Sequence, residues 1–227
     1  MGKNKKLKDM AETAKQRSNI YSFLATIFHK ELTPALLRQI KDPKFSGVLS
    51  EQGVRLGNDI LQKPDNELIE DLAVEYTKLF LGPGKHISPH ESVHHERNDG
   101  DWGMLWGKDT VLVKKFIESA GLEYKTDYKG LPDSISVELE FMQQVTKRET
   151  QAWDEDDYDG ALYCLKIEKK FIDEHLAKWI PIFCDKVISK AELSLYREMA
   201  KLTKGFIELE EKEINNHLSE AQKIKPH

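Results

Sequence analysis

From end to end, the apolar residues of this chain recur three and four positions apart, and nowhere do they alternate over the length of a strand. One set runs Ile20, Phe23, Leu24, Ile27, Phe28; another runs Leu68, Ile69, Leu72, Tyr76, Leu79, Phe80; a third runs Val111, Val113, Phe116, Ile117, Ala120. Each has the 3.6-residue period that places one apolar stripe on a helix. Boundary signals agree with that period. Thr33 and Pro34 form a cap and first helical residue, Pro64-Asp65-Asn66 opens the helix that carries Phe80, and Gly121 closes the one from about Asp109. Asp133 and Ser134 can both cap a helix bearing Ile135, Leu139, Met142 and Val145. The acidic run Asp154–Asp159 separates it from a helix with Leu162, Leu165, Phe171 and Leu176, and Trp179-Ile180-Pro181 is expected to break the pattern. Ser189 and Glu192 match a capping box, predicting that a long helix starts there, runs through Leu193, Tyr196, Met199, Leu202, Phe206 and Leu209, and frays near Asn215. The expectation is an all-α chain: one helical bundle of about ten helices over residues 1–227, with 1–18 frayed and 215–227 a disordered tail.

Charge and cysteine content narrow the function. A net charge of -5 disfavours nucleic acid as partner, because phosphate contacts need a concentrated basic surface. Two cysteines without a C-x-x-C spacing indicate neither a disulfide framework nor a cysteine metal site. The longest apolar run, Ile20 to Phe28, is far short of the ~20 residues that cross a bilayer, so no stable membrane insertion is expected. The basic start lacks the apolar region and cleavage site of a secretory signal, which makes the cytoplasm the expected compartment.

Only the stretch from Leu81 to about Gly107 lacks periodicity, and long aperiodic loops in compact domains tend to be functional. It contains H-E-S-V-H, His90 to His94, which spells a zinc-protease pattern. That chemistry needs both histidines on one helical face. Pro89 before the motif, Gly82, Pro83 and Gly84 upstream, and Asn98 to Gly100 downstream are instead the flanks of a loop. The histidines of this segment, His86, His90, His94 and His95, read as solvated side chains, with a weak divalent-metal site as the lesser alternative. No catalytic residue, resident metal or cofactor is assigned.

Four blocks carry a further signal: "EYTKLFLGPG" from Glu75, "SPHESVHHE" from Ser88, "GLPDSISVELEFMQQV" from Gly130 and "FIDEHLAKWIPIFCDKV" from Phe171. In this order and spacing the chain resembles the TorD/DmsD/NarJ family of cytoplasmic chaperones for molybdenum-containing redox enzymes. The resemblance spans about Tyr21 to Phe206 and implies an all-helical, non-enzymatic protein. Its implied partner is the catalytic subunit of a molybdenum-containing oxidoreductase, bound through an N-terminal signal peptide, often of the twin-arginine type, until cofactor loading is complete. Homodimers by helix exchange occur in such families. Where the family loop commonly has two tyrosines, this chain has His90 and His94; where the family often has aspartate then histidine, it has Asp133 and Ser134.

A leader with two guanidiniums and an apolar segment calls for carboxylates beside an apolar groove. The candidates are Glu91, Glu96, Asp133 and Glu138 for charge, and Tyr76, Phe80 and Trp102 for the groove, with Leu79, Leu105 and Met142 as further walls. Gly82, Pro83, Gly84, Pro89, Ser92 and Ser134 are assigned to loop architecture. Leu79, Phe80 and Met142 also lie at core spacing, and the acids could equally form a solvated face. A zinc-dependent hydrolase using His90, Glu91 and His94, or a helical adaptor in an unrelated complex, are the competing functions.

Overall fold

The computed structural model describes residues 2–82, 84–96, 103–123 and 129–224. Helices α1 (Gly2–His29), α2 (Pro34–Lys41), α3 (Pro43–Glu51), α4 (Asn58–Leu61) and α5 (Asp65–Tyr76) form the first half. After the long loop come α6 (Lys108–Ser119), α7 (Ile135–Asp154), α8 (Tyr158–Phe171), α9 (Ala177–Lys190) and α10 (Ser194–Ile224). No strand occurs among the described residues, as the absence of alternation predicts.

Several boundaries form for the reasons the sequence suggests. The Thr33 side chain accepts from Leu36 N with Pro34 at the first helical position, and Ser134 Oγ accepts from Val137 N at the start of α7. Gly121 follows α6 at φ +69°, a conformation glycine reaches without a Cβ penalty. The elements then pack chiefly α1 on α7, α9 on α10, and α8 on both α7 and α10. Trp153, Trp179, Tyr21, Tyr196, Phe171 and Phe183 are the largest fully buried side chains of the core between them.

Three elements depart from the sequence expectation. Ser189 does not cap α10: it is still inside α9, where its hydroxyl donates to Lys186 O. The N-terminal donors of the last helix are met from across the fold, by Asp59 at Ser194 N (2.7 Å) and by Glu75 at Glu192 N and Leu193 N (2.6 and 2.8 Å). Pro181 does not break the chain either, because α9 runs through it. Full burial of Trp179, Ile180 and Phe183 around it offsets the missing backbone donor. Finally, both termini are helical beyond the expected limits. Leu7, Ala11 and Ala14 are buried in α1, and Ile214, Ala221 and Ile224 in α10, so apolar contact rather than local propensity holds both ends.

Arg17 explains how α1 is locked in place. Its guanidinium is buried and reaches Glu210 of α10 at 2.7–2.9 Å, Glu168 of α8 at 2.6 Å and Glu149 of α7 at 3.1 Å. Tyr21 donates to the same Glu210, and Trp153 Nε1 to Glu149, both at 2.9 Å. One cation thus ties four helices through three carboxylates. Burial raises the pKa of Glu149 and Glu168, and the Arg17 charge opposes that rise.

Candidate functional site

The loop after α5 is fixed by two widened helical turns. The helix of α5 continues as a π turn over Thr77–Leu81, and α8 passes into α9 through another over Ile172–Leu176. Such turns admit one extra residue and re-aim the side chains around them. The second carries His175, whose Nδ1 lies 2.9 and 3.1 Å from the two oxygens of Glu91. Glu91 opens a short 3-10 turn, Glu91–Val93, and is 1% exposed.

Around that contact lies a buried acidic group. Glu138 of α7 is fully buried and accepts from Trp179 Nε1 at 2.9 Å. Burial pushes its carboxyl well above the usual range, and the charges of Glu91 and Asp133 push in the same direction. Asp133, also fully buried, accepts from Ser92 N at 3.0 Å while its carbonyl accepts from Glu91 N at 2.9 Å. Ile135 N donates to Pro89 O, and His90 and Ser134 form an antiparallel bridge. The start of α7 therefore clamps residues 89–92 by backbone and side chain together.

The two motif histidines have separate structural duties. His94 is 3% exposed and its ring stacks on Trp179 with centroids 5.4 Å apart. Its Nε2 donates to Ser88 O at 2.8 Å and its Nδ1 accepts from Lys186 at 3.1 Å, which corresponds to a neutral ring. Burial lowers its pKa to about 4. His90 is extended, half-buried, and bonded through Nδ1 to Ser88 Oγ at 3.1 Å. With no α-helix here and both His94 nitrogens occupied, the zinc-protease geometry is not present, and His94 is not the solvated loop histidine the sequence suggests.

Of the proposed leader contacts, Glu91, Asp133 and Glu138 are brought together, but in the interior; none faces solvent. Tyr76 and Phe80 are core residues. Their rings pack edge to face 5.0 Å apart, and Tyr76 donates to Phe28 O. Leu79 and Met142 are likewise buried. Glu96 is exposed. Trp102 and Pro83 lie outside the described residues. Gly82 follows the π turn, its N donating to Thr77 O, and Gly84 has φ +113°.

Sequence reasoning passed over three features. His175 sits on a stripe with Phe171, Ile172 and Trp179, and a lone histidine on an apolar helix face was the available signal. His95 and Asp109 flank Glu91: His95 Nδ1 is 3.3 Å from Asp109 and its Nε2 is 3.8 Å from Glu91. Residues 104–112, of which sequence reasoning takes only Leu105 as a groove wall, carry an exposed apolar surface made by Met104, Leu105, Trp106, Val111 and Leu112, with Trp106 72% exposed. Trp106 also has φ +64°, uncommon for a bulky residue. Gly103 presses so closely on Ser92 O that no Cβ would fit, and its N donates to His95 O at 2.9 Å. The apolar stretch is thus seated directly on the Glu91 turn.

With its all-helical body, clamped loop and exposed apolar strip, the chain falls among TorD-type maturation chaperones. The family model for the nitrate reductase delta subunit matches residues 44–185, and the chain belongs to that family. It is 24% identical over 207 residues to the chaperone protein TorD of Vibrio cholerae serotype O1, covering 85% of this chain and 89% of that one. The TorD chaperone of Vibrio atlanticus is 23% identical over 218 residues, 90% of this chain and 97% of that one. A crystal structure from Archaeoglobus fulgidus, described provisionally as a redox enzyme maturation protein, superimposes with a TM-score of 0.51 at 24% identity, over 85% of this chain and 93% of that one.

Proposed function

We propose that this chain is a single-domain cytoplasmic chaperone. It binds the N-terminal leader, of the twin-arginine type, of a molybdenum-containing oxidoreductase catalytic subunit and shields it until the cofactor is loaded and export can begin. The observation that carries the reading is the exposed apolar strip from Met104 to Leu112, joined to the Glu91 loop where Gly103 N donates to His95 O, one residue before the exposed acid Glu96. An apolar strip suits the hydrophobic segment of a leader, and an exposed carboxylate suits its guanidiniums. Glu91, Asp133 and Glu138 support this role from behind by fixing the loop. No chemistry on the client is required: binding, steric shielding and release suffice.

Titration calorimetry with a synthetic twin-arginine leader tests the proposal. The expected result is saturable binding that weakens as salt is raised and in Trp106→Ala and Glu96→Gln. Equal affinity for a leader in which both arginines are replaced by glutamine would refute the arginine part, and no binding to any redox-enzyme leader would refute the whole.

A further inference from the structure

Glu91, His95 and Asp109 each offer a ligand atom, and these atoms lie within 4.8 Å of one another. We propose that they form a binding site for one first-row divalent transition-metal ion, independent of leader binding.

The donor set is one imidazole nitrogen and two carboxylates. That mixture suits Zn²⁺ or Mn²⁺ better than Ca²⁺ or Mg²⁺, which prefer oxygen alone. Tetrahedral ligands at zinc lie roughly 3.3–3.5 Å apart, so His95 and Asp109 must close by about 1 Å. Both have side chains about one quarter exposed, at 25% and 26%, and stand on the loop and the first turn of α6, where such movement is available. Glu91 need not move. It is held from behind by His175 through both oxygens, the kind of outer partner that fixes a carboxylate ligand.

Two further observations point to an ion rather than to a closed polar network. His95 Nε2 is buried with no hydrogen-bond partner, and it faces Glu91 at 3.8 Å, too far for a hydrogen bond. Two carboxylates, buried Glu91 and Asp109 at the rim, stand on either side of His95. A cation bridging them would tie the 3-10 turn to the N-terminus of α6. Three protein ligands leave one position for water or another donor. None of this uses His90, whose Nδ1 bonds Ser88 Oγ, or His94, both of whose ring nitrogens are engaged elsewhere.

The test is Zn²⁺ titration of the chelator-treated full-length chain by calorimetry, with Co²⁺ absorption reporting coordination geometry. One saturating equivalent is expected in the wild type. His95→Ala and Asp109→Asn should each weaken it about tenfold or more, with unchanged circular dichroism. His86→Ala, which removes an exposed histidine, should leave that equivalent intact. The proposal is overturned if the wild type takes up no saturating equivalent, or if His95→Ala and Asp109→Asn bind Zn²⁺ as the wild type does. Loss confined to His86→Ala would equally overturn it.

Discussion

Replacing Arg17 by alanine removes the only cation bonded to Glu149, Glu168 and Glu210 among the described contacts. Breaking a buried ion pair from one side costs about 3–5 kcal/mol, because the carboxylates remain without compensation. In a domain of this size each kcal/mol lowers Tm by about 2–4 °C, so a fall of about 10 °C is expected. Arg17→Lys should recover only part of it, since lysine keeps the charge but not the fork that spans three acceptors. The pH dependence is more diagnostic. Glu149 and Glu168 have folded-state pKa values raised by burial, and Arg17 is the largest influence opposing that rise. Without it they move higher still. A carboxyl raised in the folded state binds a proton that the unfolded chain releases, so stability is greatest at low pH. It declines as pH rises from the unfolded value near ~4.3 through the folded one. Urea unfolding of Arg17→Ala should therefore show a smaller deficit at pH 5 than at pH 8. An equal deficit at both, or a total loss below about 1 kcal/mol, would refute the assignment of Arg17 as the charge that holds the four helices.

Asp59→Ala should destabilise by about 1–2 kcal/mol through loss of the cap at Ser194, whereas Ser189→Ala should stay within about 0.5 kcal/mol; the reverse order in denaturant titrations would restore the local capping box. His94→Ala should cost about 2 kcal/mol and His90→Ala less, read from the same midpoints. Because His94 is held down to about 4, its contribution is present above the unfolded value near ~6.5 and is lost as pH falls toward the folded one. A His94→Phe variant should thus lose less stability between pH 7 and 5 than the wild type, and identical slopes would contradict the neutral, buried ring. Cys164, pushed up to about 12, and the buried Cys184 should resist a thiol reagent in the native chain and react only after denaturation. Rapid native labelling of Cys184 would show that the core around Phe183 opens.

What could be seen in the sequence was whatever depends on near neighbours. Thr33-Pro34, Ser134 and Gly121 act within one turn of themselves, and each does in the structure what its residue type suggests. The Ser189 box failed because the competing caps, Asp59 and Glu75, come from more than a hundred residues away. Pro181 failed for a similar reason, since burial on either side outweighs a lost backbone bond. Of the four candidate carboxylates, Glu96 is exposed and the other three lie in the interior. Glu91, Asp133 and Glu138 look like solvent-facing acids until tertiary packing brings His175, Ser92 N and Trp179 to them. Arg17 falls in the segment expected to fray, and three helices converge on it instead. A polar side chain inside an apolar stripe, as His175 is, is the local sign that such partners exist.

The most direct test of the chaperone account is capture of the tagged full-length chain from cells expressing it with its native neighbours under anaerobic respiration, followed by mass spectrometry and metal analysis of what is retained. The account predicts a redox-enzyme catalytic subunit whose N-terminal leader is intact and whose molybdenum content is low. Recovery of only mature, molybdenum-loaded enzyme, or of partners with no redox catalytic subunit among them, would contradict it.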